Sequence, residues 1–524
     1  MIKLVKNVYD YYAATWKLKS DFARQTINTA TAFDAASKSR NQTEDFNPAL
    51  ESADSEMLPE LQDMYARNRA LMRNVPLAGG FVKGITTHVV GRGLRLQPQL
   101  PRGVLPIPDD QLIPWQQNTK LQFHCWAGSV HVDVEKRANL YDQMQIAHLG
   151  MLVAGDSFCL LPRVEDGTSD FSLRTQLVEA ERVSNPNFGA DTRTLGGGVE
   201  TGSLGQVQKY WVNDFHPGDT FEQRHISIDA FSPSGRPNLL HLFLQTRPGQ
   251  RRGLPFLTPV AELLYQLKKY TNAELQRAVV SSFFTVFLKG GANLPKVKPM
   301  STAGAAAGGL ASDKDYKLGA GNIVKLKGDQ EVDFANPNSP NQSFDQFVQS
   351  LLSQIGIALE IPFEILVKHF TRNFSAARAA MLEAWLFYNC KRSHFVDHFC
   401  NPIYELWMEE AILLGKVEAP GFFDDPAIRK QWLSAAWVGP TMGHINPRDE
   451  IGAIQTKLEL GLTTHEKEAL KLDGDDWFTM TSQIEEELKR KKEIGLSGSS
   501  GNSNTFNNDA EEEEEEAQED DNNA

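Results

Sequence analysis

The sequence predicts an α+β protein, mainly helical, and two observations carry that class. Stretches with apolar residues at helical spacing recur along the chain, most clearly over 258–281, 344–359 and 375–414. Between 157 and 245 the pattern changes to short β-rich runs separated by Gly, Pro and Asn. Mixed helices and short strands of this kind imply an α+β domain. A length of 524 residues suggests about three structural units.

Residues 1–55 are polar and aromatic without a sustained period and read as an arm. Tyr9, Tyr11, Tyr12 and Trp16 suit a short amphipathic helix that needs a partner surface. From Pro59 to Val90 the spacing of Leu61, Met64, Tyr65, Leu71, Met72, Phe81, Ile85 and Val89 is helical. Leu94 and Leu96 then alternate with Arg95 and Gln97, a strand after a glycine turn. A second helical segment lies near Tyr141–Ala154, and SFCLLPRVE follows it as a buried strand. LRTQLVEAERV, QKYWVND, ISIDAFS and LLHLFLQ complete the strand-rich region, so that 56–256 forms one α+β block.

The character changes after Pro255. Val260, Leu263, Leu264, Leu267 and Tyr270 share one face of a helix over 257–281. FFTVFLKG reads as a strand, and NIVKLK as a second. Between them PMSTAGAAAGGLASDKD is too poor in large apolar residues to build a core and is expected to be flexible. A helix returns over 344–359, and IPFEIL breaks it. Residues 375–414 read as one very long helix kinked by Pro402. Further helices run through 415–495, and 496–524 is expected to be a disordered acidic tail. No repeat with a period of 20–50 residues is visible.

With 41% hydrophobic and 23% charged residues, the bulk has ordinary globular composition. The net charge is −14, yet Asp509–Asp521 holds ten acids and no base. Setting those ten aside leaves −4 on the rest, which argues against a broad basic grip on duplex DNA. Four cysteines do not make a disulfide framework, and a reducing compartment is expected. No apolar run approaches the roughly 20 residues that span a bilayer. MIKLVKNVYDYYAATWKLKS lacks the apolar core of a signal peptide, so neither secretion nor membrane insertion is expected.

The motifs that would carry chemistry fail on their own terms. Cys390, His394 and His398 fall at i, i+4 and i+8 on one helix face, with Cys400 nearby. Ligands spread over two helical turns are too far apart to share one ion at about 2.0–2.3 Å, so packed polar residues are expected and no metal. GRGLRL lacks the third glycine of a dinucleotide fingerprint and precedes a strand. GGGVETGS has no Gly-Lys-Ser/Thr, and Gly415-Lys416 is followed by Val417. Gly155-Asp156-Ser157-Phe158-Cys159 starts like a nucleophile elbow, ends in Cys where Gly is needed, and leads into a strand. Neither a catalytic residue nor a cofactor is expected, and the chain reads as a non-enzyme.

The order of segments carries more. YARNRALMRNVPLAGGFVKGITTHVVGRGLRLQ, LVEAERVSNP, HLFLQTRPGQRRGLPFLTPV, SLLSQIGIALEIPFEIL with NFSAARAAMLEAW, and WLSAAWVGPTMGHINPRDEIGAIQTKLELGLTTHEKEAL together resemble the lambda-like tailed-phage portal proteins over about 60–495. The resemblance implies a portal fold around an axial channel, with a wing, a two-helix stem, a clip and a crown. It implies a ring, commonly of twelve subunits, at one capsid vertex of the virion, assembled in the host cytoplasm. Duplex DNA passes through such a ring in packaging and ejection. The implied partners are the major capsid protein and scaffold, the terminase large subunit, and later a head-completion or adaptor protein. Mapped onto this chain, 56–256 is the wing, 257–281 and 344–359 the stem helices, and 282–343 the clip. Residues 360–374 are then the tunnel loop, 375–414 the kinked wing helix and 415–495 the crown.

The resemblance places the constriction at Glu360–Asn373, where Lys368, His369, Arg372 and Asn373 are the polar residues nearest the next helix. Lys368 and Arg372 are expected to make weak, repeated phosphate contacts, with His369 and Asn373 as neutral lining. Pro362, Phe363, Ile365 and Leu366 are expected to anchor the loop by packing. The alternative reading is another virion structural protein, such as a head–tail adaptor or minor capsid protein. Such adaptors are generally far smaller and lack a helix–clip–helix unit. A fused protease or nuclease would need a Ser/Lys dyad or clustered carboxylates, and neither pattern is present.

Overall fold

A computed structural model describes residues 48–282, 286–289, 331–334, 344–368, 374–442, 447–472, 474 and 477–493, besides positions 17 and 19. The aromatic positions of the arm, the small-residue insert, the NIVKLK run and the acidic tail lie outside the described residues. The chain divides into two compact units, Met1–Glu60 with Gln245–Arg251, and Leu61–Leu244 with Arg252–Ala524.

In the first unit, helix α1 (Ala53–Met57) starts at Ser52, whose Oγ accepts the Ser55 N–H at 3.2 Å. Arg247 pairs with Glu56 at 2.6 Å and donates to the Glu51 carbonyl at 2.8 Å. Arg251 Nε meets Asp54 Oδ2 at 3.1 Å, so the arginines of RPGQRR clasp this helix.

The second unit opens with α2 (Leu61–Asn74) and α3 (Pro76–Val89). The single helical stretch expected from the spacing is two helices, because Val75 is extended and Pro76 occupies the first turn of α3. Proline has no N–H to lose there, and its fixed φ starts a helix well. Strand β1 (Arg95–Pro98) is followed by α4 (Asp109–Ala127), which the sequence reading did not anticipate. Pro114 lies inside it, and its apolar residues are thinly spread, so the usual helix signal is weak. Helix α5 (Leu140–Ala154) is capped by Asn139 and stops at Gly155, whose φ of 80° suits glycine. A Cβ at Gly155 would meet the Gly253 carbonyl oxygen at 2.5 Å, so the turn is also sterically closed to other residues.

The strands follow as β2 (Asp156–Leu160), β3 (Gln176–Val178), β4 (Leu195–Gly196), β5 (Val199–Thr201), β6 (Val207–Asn213), β7 (His225–Asp229) and β8 (Leu239–Phe243). They form two antiparallel sheets, ordered β3-β2-β8 and β4-β5-β6-β7. The long strand expected at LRTQLVEAERV is cut short. Ala180–Arg182 is a 3₁₀ turn, and the Ala180 and Val183 carbonyls accept hydrogen bonds from Arg252.

Helix α6 (Ala261–Ser282), strands β9 (Val286–Lys289) and β10 (Glu331–Phe334), and helix α7 (Phe344–Ala358) come next. The strands pair antiparallel, with Val286 opposite Phe334 and Lys289 opposite Glu331. Tyr270 of α6 stacks on Phe344 of α7 at 5.4 Å and meets Phe347 edge-on at 5.2 Å, so the two helices lie side by side. The short helix α8 (Phe363–Val367) leads to α9 (Phe374–Phe395). A π turn, Val396–Cys400, then joins α9 to α10 (Asn401–Leu413). Pro402 cannot donate to the preceding turn and crowds its carbonyls, so the helix widens just before the proline instead of ending.

The rest comprises α11 (Pro426–Trp432), β11 (Ala435–Val438), α12 (Pro447–Glu459), α13 (His465–Leu472) and α14 (Trp477–Glu493). Strand β11 pairs antiparallel with β1, with Leu96 opposite Trp437. The core runs through α3, α4, α5, α9 and α10. At its centre Trp407 stacks on Phe171 at 5.6 Å and meets Phe123 edge-on at 5.1 Å.

His148 of α5 is fully buried in this core. Its Nδ1 lies 3.1 Å from Thr86 Oγ1, and Phe395 meets the ring edge-on. Burial, with Lys391 and His394 adding positive charge nearby, pushes its pKa down to about 3. A histidine depressed in the folded state binds fewer protons there than in the unfolded chain. Stability is therefore unaffected above about pH 6.5 and falls as pH drops, by up to about 1.4 kcal/mol per unit. Acidification from pH 7 to 5 then costs about 2 kcal/mol through this residue. Urea unfolding of His148→Gln should show a correspondingly shallower slope between pH 6.5 and 4, and equal slopes would remove His148 from the account.

Candidate functional site

The break after α7 shapes the region. Glu360 has a positive φ of 57°, Pro362 starts α8, and Lys368 ends it in the left-handed conformation at φ 53°. A lysine at such a φ costs about 1–2 kcal/mol, so the surrounding packing enforces it. That packing is visible: Ile361 and Leu366 are buried, and Phe363, Ile365 and Val367 rest against the main core. Lys368 is exposed. His369, Arg372 and Asn373 lie outside the described residues.

Two groups that the sequence reading missed are His88, whose titration feels the charge of Lys368, and Arg392. His88 ends α3, stacks on Tyr388 at 4.8 Å and meets Trp385 edge-on at 6.1 Å. Arg392 of α9 donates to the Val89, His88 and Pro440 carbonyls at 2.7–2.8 Å. Two of these carbonyls belong to the C-terminal end of α3, where a cation also offsets the helix dipole. Its guanidinium lies 5.8 Å from the Trp385 ring centroid. Burial lowers the His88 pKa, and the charges of Lys368 and Arg392 lower it further, so the imidazole is neutral at pH 7. Around His88 the result is a cationic and aromatic patch, with Lys368 exposed, His88 partly exposed and Arg392 locked into the scaffold.

The other candidate groups do not assemble into a site, although the His394 and His398 ring centroids lie 4.1 Å apart. His394 Nε2 donates to the Phe243 carbonyl at 3.1 Å, and His398 Nδ1 donates to the His394 carbonyl at 2.9 Å. Cys390 is exposed and Cys400 is buried. The π turn changes the helical phase between them, and no group of three metal-ligating side chains converges among the described residues. Asp156 of the elbow-like motif pairs with Arg252 at 2.7 Å and with His241 at 2.8 Å. Tyr65 Oη donates to the same carboxylate at 3.2 Å, and the Gly253 N–H at 2.6 Å. Asp156 and Arg252 are at most 1% exposed, so this charged hub is sealed from any substrate and acts as scaffold.

A family model described as phage portal protein, lambda family, matches residues 39–392. The chain belongs to that family. Portal protein B of Escherichia phage lambda is 26% identical over 477 residues, covering 87% of this chain and 89% of that protein. The portal protein of Escherichia phage N15 is 25% identical over 474 residues, with the same coverage of both. A solved chain from the neck of an empty gene transfer agent (GTA) particle, computed with C6 symmetry, aligns at a TM-score of 0.41 and 13% identity. That alignment covers 79% of this chain and 94% of that one. The matched span contains the whole patch, from His88 through Lys368 to Arg392, and leaves the acidic tail outside.

Two signals in the sequence pointed toward the missed residues. Lys391-Arg392 is a basic pair within a largely apolar helix, and His88 sits in the last turn of a helix, where cations are favoured. Neither reveals that the two positions meet. No helix among the described residues is long and apolar enough to cross a membrane.

Proposed function

We propose that this chain forms a ring, commonly of twelve copies, at one vertex of a phage capsid, and that duplex DNA passes through its axial channel in packaging and ejection. It acts as a scaffold and conduit without catalysing a reaction. Assembled in the host cytoplasm with the major capsid protein and scaffold, the ring docks the terminase large subunit. A head-completion or adaptor protein later takes that place. In this reading α6 and α7 are the stem, β9 and β10 belong to the clip, and 360–374 is the tunnel loop. The strand-rich block is the wing and 415–495 the crown.

The observation that carries the reading, beyond family membership, is the order α6, β9, β10, α7. A helix leaves, a two-stranded excursion turns back, and a helix returns beside the first, with Tyr270 against Phe344. Lys368 then follows at the end of α8, its charge felt by His88. A near-neutral body with a few cations repeated by ring symmetry suits a sliding duplex, because every tight phosphate contact adds salt-dependent affinity and acts as a brake. Replacing Lys368 and Arg372 together with Ala should leave the ring intact while changing the amount of DNA packaged or retained. Particle counts with encapsidated-DNA assays measure this. Normal packaging by particles whose purified rings fall apart would instead move both residues to the subunit interface.

A further inference from the structure

Resting on the ring reading, we infer that the contact between neighbouring copies seats one face of α6 in a groove that the next copy forms between α7 and α9. Two complementary surfaces on the chain carry this. The first is on α6, where Tyr265, Lys268, Asn272, Leu275 and Val279 recur at alternating steps of three and four. That is the spacing of a helix–helix seam. The adjoining face, with Leu264 and Leu267, is already buried in this chain. Along the seam Leu275 is 63% exposed, and Tyr265 and Val279 are each half exposed, so a single copy leaves the seam open.

The second surface is a groove of about 610 Å³ lined by residues that include Ile357, Glu360, Phe363, Glu383, Leu386 and Cys390. Ile357 is 80% exposed and Leu386 74% exposed, on helices whose other faces join the core. An apolar trough between two helices receives a third helix through side chains at such seam positions. The charges match as well. Glu360 and Glu383 line the groove, whereas Lys268 lies on the seam and Lys269 beside it, with its Nζ 4.4 Å from the Tyr265 ring centroid. The two surfaces are different patches of one chain, so the contact is heterologous, and such contacts close into a ring when the rotation between copies permits. The occupant is therefore a second copy of this chain.

Native Cys390 lines the groove and permits a direct test on the full chain. Asn272→Cys rings treated with a short flexible bismaleimide should yield a ladder of covalent oligomers. The ladder should be absent from wild type and from Asn272→Cys with Cys390→Ser. Intact rings on native mass measurement without a Cys390-dependent ladder would overturn this interface while leaving the ring reading in place. A wild-type protein that forms no ring would overturn the ring reading itself. A second pair of variants avoids reliance on cross-linking. Glu360→Lys with Glu383→Lys should lower ring yield by about tenfold or more, since like charges then face each other. Adding Lys268→Glu with Lys269→Glu should restore it, and failure to restore would refute the pairing of these two faces.

Discussion

Arg252→Met and Asp156→Leu should each destabilise the second unit by about 3–5 kcal/mol, because each change strands a buried charge. Arg252 Nη1 donates to the Val183 and Gly197 carbonyls at 2.8 and 2.6 Å, and Nη2 donates to Tyr65 Oη and the Ala180 carbonyl at 2.9 Å. One side chain thus satisfies α2, β2 and two loops at once. Changing both residues together should cost less than the sum of the single changes, since no unpaired ion of this pair remains. Burial alone would raise the Asp156 carboxyl, but Arg252 and His241 outweigh it and hold it below the ordinary carboxylate range. A depressed carboxylate contributes stability above its unfolded value and loses it as pH falls, so this loss begins only below about pH 4. The His148 effect occupies the higher window, and the two separate on a pH series. Urea unfolding measures both, and single changes costing under about 1 kcal/mol would show that the hub is dispensable.

Trp407→Ala should cost about 3–5 kcal/mol, the range for emptying a fully buried large side chain. Beyond Phe123 and Phe171, the ring stacks with Tyr404 at 6.0 Å and lies 6.5 Å from Trp126. The cavity would open where α4, α10 and the Phe171 loop converge, and surrounding aromatic rings collapse poorly. Trp407→Phe should cost much less. Its Nε1–H finds no acceptor among the described residues, and removing an unsatisfied buried donor recovers about 1–3 kcal/mol of desolvation against the lost ring area. The comparison of the two variants by urea midpoint decides between packing and polarity. Equal losses would mean that the indole N–H is satisfied by a bound water.

The two variants also mark what local sequence could express. Helices α6, α7 and α9 were legible because their apolar periodicity is a property of neighbouring residues. The glycine turn before β1 was legible because Gly91 and Gly93 take φ values of 60° and 95°, which glycine adopts freely. Helix α4 was hidden by Pro114, which weakens a local signal that tertiary burial of Phe123 and Trp126 overrides. The segments ordered along the chain disclosed the family before any geometry was known.

The remaining features depend on contacts that a one-dimensional pattern does not encode. Strand β11 finds its partner β1 from the far end of the chain, and four alternating residues carry no mark of which strand they will meet. Arg392 reaches the His88 and Val89 carbonyls only because α9 packs across the end of α3. Asp156 looked like part of a failed nucleophile motif until folding buried it against Arg252, His241 and Tyr65. By itself the sequence determined the strongly periodic helices and the family, since propensity and periodicity act over a few residues. Tertiary structure alone decided the strand partners, the charged hub and the cationic patch, because ladders and buried ion pairs form only between groups that folding brings together.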